Sequence, residues 1–255
     1  PTGGGAWRGA TVARASAAYA LAPNFTARAS GATSHRWPTL NELARDFSAG
    51  STSTLANPDL LPERARSFDA GLDLTGRWYQ VSVTGFGAVV LDAIANVTQS
   101  SSSTAIVRQR RNAGEAHSSG VEIDGEVHGR FARVRASLTF LDAKFRKSQE
   151  VALEGNWLPQ VPKRSVGVTA DVLLPRQHVV SIVVHDVSTQ FDDDRNQFLL
   201  AGATQVDARL AGRWRMVGWQ LSVENLTDAR IETGRTPLVA LAQGRAVRFG
   251  LSVSK

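Results

Sequence analysis

The chain has 255 residues, 42% of them hydrophobic, no cysteine and a formal net charge of +6. That length can bury an ample core in one large or two small domains, and the missing cysteine excludes a disulfide framework, a thiolate zinc site and a cysteine nucleophile. No apolar run approaches the eighteen or so residues of a membrane helix, and the first residues lack the apolar core of a signal peptide. The basic balance raises nucleic acid or an anionic membrane surface as partner. Its form is unusual, because Lys144, Lys147, Lys163 and Lys255 are the only lysines and the remaining positive charge is arginine.

Period-two alternation runs along most of the chain and predicts about eleven strands. They fall near 11–21, 25–35, 64–75, 78–91, 105–127, 131–144, 164–174, 178–190, 204–212, 217–226 and 245–254. In Val121 to Val127 the apolar residues share one face, while Glu122, Asp124 and Glu126 share the other. From Phe131 to Phe140 the apolar face opposes Arg133, Arg135, Ser137 and Thr139. The same pattern returns in 165–174, 219–224 and 247–253. Most of these runs offer roughly ten residues, more than the five or six usual in globular strands.

The connections alternate in length. Short turns lie at Ala22-Pro23-Asn24, Gly76-Arg77, His128-Gly129-Arg130, Pro175-Arg176-Gln177 and Arg213 to Met216. Long, polar connections lie at 36–63, 92–104, 145–163, 191–203 and 227–244. Short turns at one end and long loops at the other predict an all-β fold, a transmembrane antiparallel β-barrel of the outer-membrane type. Trp78, Trp214 and Trp219 beside short turns, with Trp37, Trp157 and Phe191 near long-loop ends, fit two interfacial girdles. Eleven antiparallel strands cannot close on themselves without a parallel seam. The chain is therefore read as part of a larger barrel; the alternative is one strand merged or missed within 92–117.

Several boxes then resemble the TonB-dependent outer-membrane receptors. Arg36-Trp37-Pro38-Thr39-Leu40-Asn41-Glu42-Leu43 is similar to the family's R-x-P-T-x-x-E-L. Ala56-Asn57-Pro58-Asp59-Leu60-Leu61-Pro62-Glu63 is similar to N-P-x-L-x-P-E. Arg111-Asn112-Ala113-Gly114 with Gly120-Val121-Glu122, then Leu158-Pro159-Gln160-Val161-Pro162-Lys163, then Val223-Glu224-Asn225-Leu226-Thr227-Asp228, follow in the family's order. The resemblance implies a 22-stranded barrel plugged by an N-terminal domain, of which this chain supplies about the C-terminal half. The signal peptide, the plug and the segment that engages TonB are not in this sequence. The ending Val253-Ser254-Lys255 departs from the aromatic terminus common in such barrels. The implied function is non-enzymatic uptake of a scarce, bulky ligand, a ferric siderophore or cobalamin, with energy delivered through TonB. No cofactor is implied.

Most box residues read as structural: Arg36, Pro38, Asn57, Pro58, Pro62, Glu63, Asn112, Gly114, Gly120, Glu122, Pro159, Pro162, Asn225 and Asp228. Glu122, Asp124 and Glu126 are expected to line the lumen and to pair with Arg133 and Arg135, since an arginine at mid-membrane on the lipid side costs about 2–4 kcal/mol. Loops 36–63, 92–117, 145–163, 191–203 and 227–244 are expected to meet the ligand. The candidate contacts are Arg108, Arg110, Arg111, Trp157, Asp192 and Asp193. The arginine cluster could hold an anionic ligand or lipopolysaccharide phosphates, or be ordinary rim charge, which is the favoured reading.

Other motifs read as bland. Asp192-Asp193-Asp194 with Asn196 offers oxygen ligands but not the spacing of a calcium loop, and is expected to be a solvated loop. His35, His117, His128, His178 and His185 form no ligand pair, and none falls between the first two boxes, where haem receptors of the family place one. His185, Asp186 and Ser188 on one strand do not converge as a triad. Gly3-Gly4-Gly5 lacks the rest of a phosphate loop. Arginines dispersed at alternating positions exclude a nucleic-acid surface. A passive porin or adhesin barrel, and less so a soluble polyanion-binding sandwich, remain the rival readings.

Overall fold

The computed structural model describes residues 9–148, 150–236 and 238–253. Gly3-Gly4-Gly5, Ser254 and Lys255 lie outside the described residues. A single sheet of eleven strands forms the wall. Its strands are β1 (Ala13–Ala22), β2 (Phe25–Arg36), β3 (Glu63–Thr75), β4 (Tyr79–Leu91), β5 (Glu115–His128) and β6 (Ala132–Lys147). They continue as β7 (Arg164–Leu174), β8 (His178–Val187), β9 (Ala203–Trp214), β10 (Val217–Glu224) and β11 (Ala246–Val253). Each pairs antiparallel with the next in sequence. The all-β antiparallel wall expected from the alternation is what forms. Among the described residues no helix is long and apolar enough to cross a membrane, and the wall offers strands for that purpose.

The register sorts side chains onto two faces. Leu72, Val83, Ile123 and Leu138 stand opposite one another across β3 to β6 on the outer face. Tyr19, Phe68, Phe140, Phe249 and Leu251 share that face and remain between 48% and 72% exposed. An apolar belt of this kind is stable only against lipid. The inner face is polar. Arg28 donates to Asp73 at 3.0 Å, Ser82 at 3.0 Å and Thr84 at 2.5 Å across three strands. The expected lumen pairs form in part: Arg133 lies 3.3 Å from Glu126, whereas Arg135 turns to Asp171 at 3.2 Å. Glu122 faces inward between Thr84 and Thr139, with no ion pair among the described residues.

The predicted strand 105–127 is two strands. Ile106–Asn112 leaves the wall and joins a four-stranded loop sheet with Phe47–Ala49, Thr52–Leu55 and Ile94–Ser101. The break comes at Gly114, whose φ is +102° and whose missing Cβ would sit 2.0 Å from the Lys147 carbonyl oxygen. A merged strand therefore does exist within 92–117, but it belongs to the loops and leaves the wall at eleven. One face of the loop sheet, carrying Val97 and Ala95, packs with Ala93 and Ala113 on Ala116, Phe145 and Leu153. Ala116 and Phe145 are paired inner-face residues. The loop sheet is thus anchored on the lumen side of the rim.

Candidate functional site

Polar side chains converge at the long-loop end. Two depressions there, of about 510 and 480 Å³, share Ile94, Asn96 and Arg108. The first also takes in Glu63, Gln160, Asp192 and Asp194, and the second Glu42, Thr54 and Arg110. A third, of about 420 Å³, lies on the inner wall between Ser82, Asp124, Glu126, Arg135 and His185.

The first two boxes build the floor of this end. Thr39 caps the short helix α1 (Leu40–Ala44): its hydroxyl accepts from the Glu42 N–H, and Glu42 accepts from the Thr39 N–H at 2.7 Å. This is a capping box, with Pro38 just ahead of the cap. Arg36 ties the helix to the wall by donating to Glu42 at 3.0 Å and to Glu63 on the adjacent strand. Partial burial pushes the Glu42 carboxyl up, and donation from Thr39 and Arg36 more than offsets it, holding the group below its usual range. Asn57 donates its backbone N–H to Glu42 and its side-chain amide to the Arg110 carbonyl, both at 2.9 Å. Asn57 Oδ1 accepts from Asp59 and fixes the turn at Pro58. Asn112 bonds both backbone groups of Leu61, beside Pro62, and reaches the Asp92 carbonyl.

The aspartate run joins four loops. Asp192 accepts from the Thr236 hydroxyl at 2.6 Å, the Arg235 N–H at 2.7 Å and the Gln160 amide at 2.7 Å. Asp193 accepts from the N–H groups of Arg195, Gln197 and Phe198 and closes its own loop. Asp194 accepts from the Thr98 N–H and hydroxyl. The three are 5%, 3% and 1% exposed, which corrects the expectation of a solvated loop. Protein donors occupy their oxygens, and among the described residues no group of acidic and histidine side chains is arranged for a metal. Burial pushes Asp192 up, but its three donors and the Arg108 charge prevail and hold it below the usual carboxylate range.

The arginine cluster is split. Arg108 and Arg110 share one face of the loop sheet with Thr54, Asn96 and Thr98. Arg108 donates to the Thr236 hydroxyl at 3.0 Å, and its Nε is buried with no partner among the described residues. Arg110 donates to the carbonyls of Asn41 and Arg45. Arg111 points to the opposite face, toward Gln99, Gln109 and Glu150. Trp157 pairs with Lys144 on the outer face, under the ammonium groups of Lys144 and Lys163 at 3.9 and 3.8 Å from its ring. It stands away from both depressions, and Asp193 lines neither.

The remaining box residues hold the scaffold. A Cβ on Gly120 would lie 2.3 Å from the Phe140 carbonyl oxygen and 2.7 Å from the Phe86 ring. Pro159 lines the larger depression, and the Pro162 segment leads to Lys163, whose carbonyl accepts from Leu141. Asn225, with φ +50°, closes a loop through Ala229 and donates its N–H to Asp207. Asp228 accepts from the Arg245 N–H at 2.8 Å, ahead of the last strand. Sequence reasoning missed Thr98, Gln160, Arg235 and Thr236, since only the folded loops bring them to the aspartates.

The family described as TonB dependent receptor-like, beta-barrel matches residues 2–226. No curated protein matches the chain. Among solved structures, the ferric yersiniabactin uptake receptor FyuA from Yersinia pestis is similar at 18% identity and TM-score 0.73, over 94% of this chain and 36% of that one. The copper transporter OprC is similar at 18% identity and TM-score 0.74, over 93% of this chain and 38% of that one. The siderophore receptor PirA from Acinetobacter baumannii is similar at 16% identity and TM-score 0.72, over 94% of this chain and 40% of that one. The chain thus spans well under half the length of these structures, and the likeness is one of fold.

Proposed function

The chain belongs to the TonB-dependent receptor β-barrel family, whose barrels lie in the bacterial outer membrane, and from that premise we propose that it forms the C-terminal half of a receptor barrel. The eleven-strand ladder leaves β1 and β11 running in the same direction, so further strands between them, making about 22 in all, complete an antiparallel barrel. A plug encoded upstream of Pro1 fills the lumen, and TonB acts on that plug. The whole protein takes up a scarce, bulky ligand of the ferric siderophore or cobalamin type and performs no chemistry on it.

The observation that carries this reading is the asymmetry between the two ends. The short-turn end carries turns of a few residues, whereas the loops of the other end fold inward into a polar vestibule around Arg108. A vestibule with an anchored floor can capture ligand before release through the barrel. Arg108, Arg110 and Asp192 are the contact candidates that line it.

The test is uptake by cells carrying the full-length gene, with TonB present or deleted, using labelled ferric siderophores and cobalamin. TonB-dependent accumulation of one class is expected. Equal accumulation without TonB, or an upstream sequence with no plug, would overturn the reading.

A further inference from the structure

The short-turn end departs from the charge balance of the wall. The turns β3–β4, β5–β6, β7–β8 and β9–β10 carry Arg77, Arg130, Arg176, and Arg213 with Arg215, and none of them holds a carboxylate. These arginines account for most of the net charge of +6, so the rest of the chain is close to neutral. Turn geometry does not ask for them. At Arg176 (φ 60°) and Arg215 (φ 54°) the backbone is left-handed, where glycine or asparagine is the less strained choice.

On the wall, arginines find carboxylates, as Arg28 does with Asp73, Arg135 with Asp171 and Arg164 with Asp186. At the turns they do not. Arg77, Arg130, Arg176 and Arg215 are exposed, and none has an ion pair or side-chain hydrogen bond among the described residues. Near this end Glu126 is already taken, 3.3 Å from Arg133 and 3.5 Å from His128. Three of the guanidiniums rest on rings instead: Arg77 on Trp78 at 4.8 Å, Arg130 on Phe131 at 5.0 Å and Arg215 on Trp214 at 5.4 Å. Successive turns stand two strand spacings apart, about 10 Å, comparable to the screening length in 0.1 M salt. Neighbouring charges therefore act together along an arc.

We propose that this arc docks the carboxylate-bearing peptides of the peptidoglycan layer. Guanidinium matches carboxylate through paired N–H donors, and a row of exposed cations on separate turns suits an extended polyanion. A compact anion or a folded acidic partner calls for a shaped recess, and none of the depressions described above is lined by these turns. Lipid headgroups reach only part of the arc. Trp78, which carries Arg77, packs on His128 at 6.2 Å between ring centres, and His128 stands opposite Arg133 on the inner face. Arg213, opposite Gly218, shares the inner face with Arg209. The inference rests on the proposed orientation, long loops outward and short turns in the periplasm, and not on the identity of the transported ligand.

The experiment uses the full-length protein in mild detergent, sedimented with purified peptidoglycan sacculi at 0.1 M salt. A fourfold variant, Arg77→Gln, Arg130→Gln, Arg176→Gln and Arg215→Gln, is expected to bind several-fold less than wild type. Lysine at the same four positions keeps the charge and should bind more than the glutamine set. A matched variant at the long-loop end, Arg45→Gln, Arg66→Gln, Arg146→Gln and Arg230→Gln, removes the same charge and should bind as wild type does. Sacculi whose carboxyls have been amidated should bind the wild type weakly. Heat-modifiable migration verifies folding in each case. Wild-type binding by the turn variant, an equal loss in the long-loop variant, or undiminished binding to amidated sacculi would each overturn the proposal. Loss of copurifying phospholipid from the turn variant with sacculus binding intact would overturn it in favour of a lipid. Labelling of the short turns at the surface of intact cells would overturn the orientation and the cell-wall contact together, whereas uptake that proves independent of TonB would overturn the transport reading alone.

Discussion

Thr98 and Asp194, ninety-six residues apart, meet in a buried two-point contact: the Thr98 N–H lies 2.9 Å and its hydroxyl 2.5 Å from the two carboxylate oxygens. The contact ties the loop sheet to the 191–203 loop, and both residues are buried. Asp194→Ala leaves both Thr98 donors unpaired, a cost of about 1–3 kcal/mol for each. The loops are expected to open while the eleven-strand ladder holds. Limited proteolysis should then cut within 92–104 and 191–203 in the variant and spare the wild type, with heat-modifiable migration unchanged in both. Uncut loops in Asp194→Ala would show that the contact is dispensable.

Asp192 makes the loop assembly sensitive to acid. Its folded-state pKa is held below the usual carboxylate range, so its contribution is fully present above the unfolded value of about 3.9. That contribution is lost as pH falls from there through the depressed folded value, when the Thr236, Arg235 and Gln160 donors lose a charged acceptor. Protection from hydrogen exchange in 227–244, taken relative to the intrinsic rate at each pH, should fall on acidification below about pH 4 in the wild type. Asp192→Asn should exchange faster at neutral pH and show little further change over that interval. A parallel pH response in the two proteins would assign the effect to another group.

Gly114 is the hinge at which the loop sheet leaves the wall. Its φ of +102° is a conformation L side chains rarely adopt, and a Cβ would collide with the Lys147 carbonyl oxygen at 2.0 Å. Gly114→Ala must therefore move backbone, and it is expected to cost about 1–3 kcal/mol from the strained dihedral alone. Thermal unfolding in detergent should shift downward, whereas Gly155→Ala, at φ +84° with open space around it, should shift less. Equal shifts would mean that the clash is relieved without cost.

The wall was legible in the sequence because lipid and water impose period two on every strand that separates them. Alternation in 121–127 and 131–140 located β5 and β6; the register sets Glu126 opposite Arg135, and Arg133 reaches Glu126 along the diagonal. The loop sheet was less visible. Its segments are short, and one pair, Thr52–Leu55 with Ile106–Asn112, is parallel across a long sequence gap, which no local pattern encodes. Alternation did carry one unused signal. Once 105–111 is read as strand, Arg108 and Arg110 must face away from Arg111, as they do. The aspartate run misled for a different reason, since its partners Thr98, Gln160 and Thr236 lie on three other loops. Composition reports its charge and not its burial.

Arg108 is the side chain whose removal tests the vestibule most directly. Its Nη2 is engaged by Thr236, but Nε is buried without a partner among the described residues, and the residue borders both rim depressions. A guanidinium held in this way favours an anionic or carbonyl-rich ligand, because a charged hydrogen bond contributes about 1.5–3 kcal/mol. Arg108→Gln keeps a donor for Thr236 and discards the charge. It is expected to raise the half-saturating ligand concentration for uptake about tenfold, the equivalent of roughly 1.4 kcal/mol, with little change in maximal rate. Arg111→Gln, on the far face of the same strand and engaged by Gln99 and Glu150, should leave half-saturation near wild type. If Arg111→Gln weakened uptake as much as Arg108→Gln, general loosening of the loop sheet would account for both, and the ligand-facing role of Arg108 would fall.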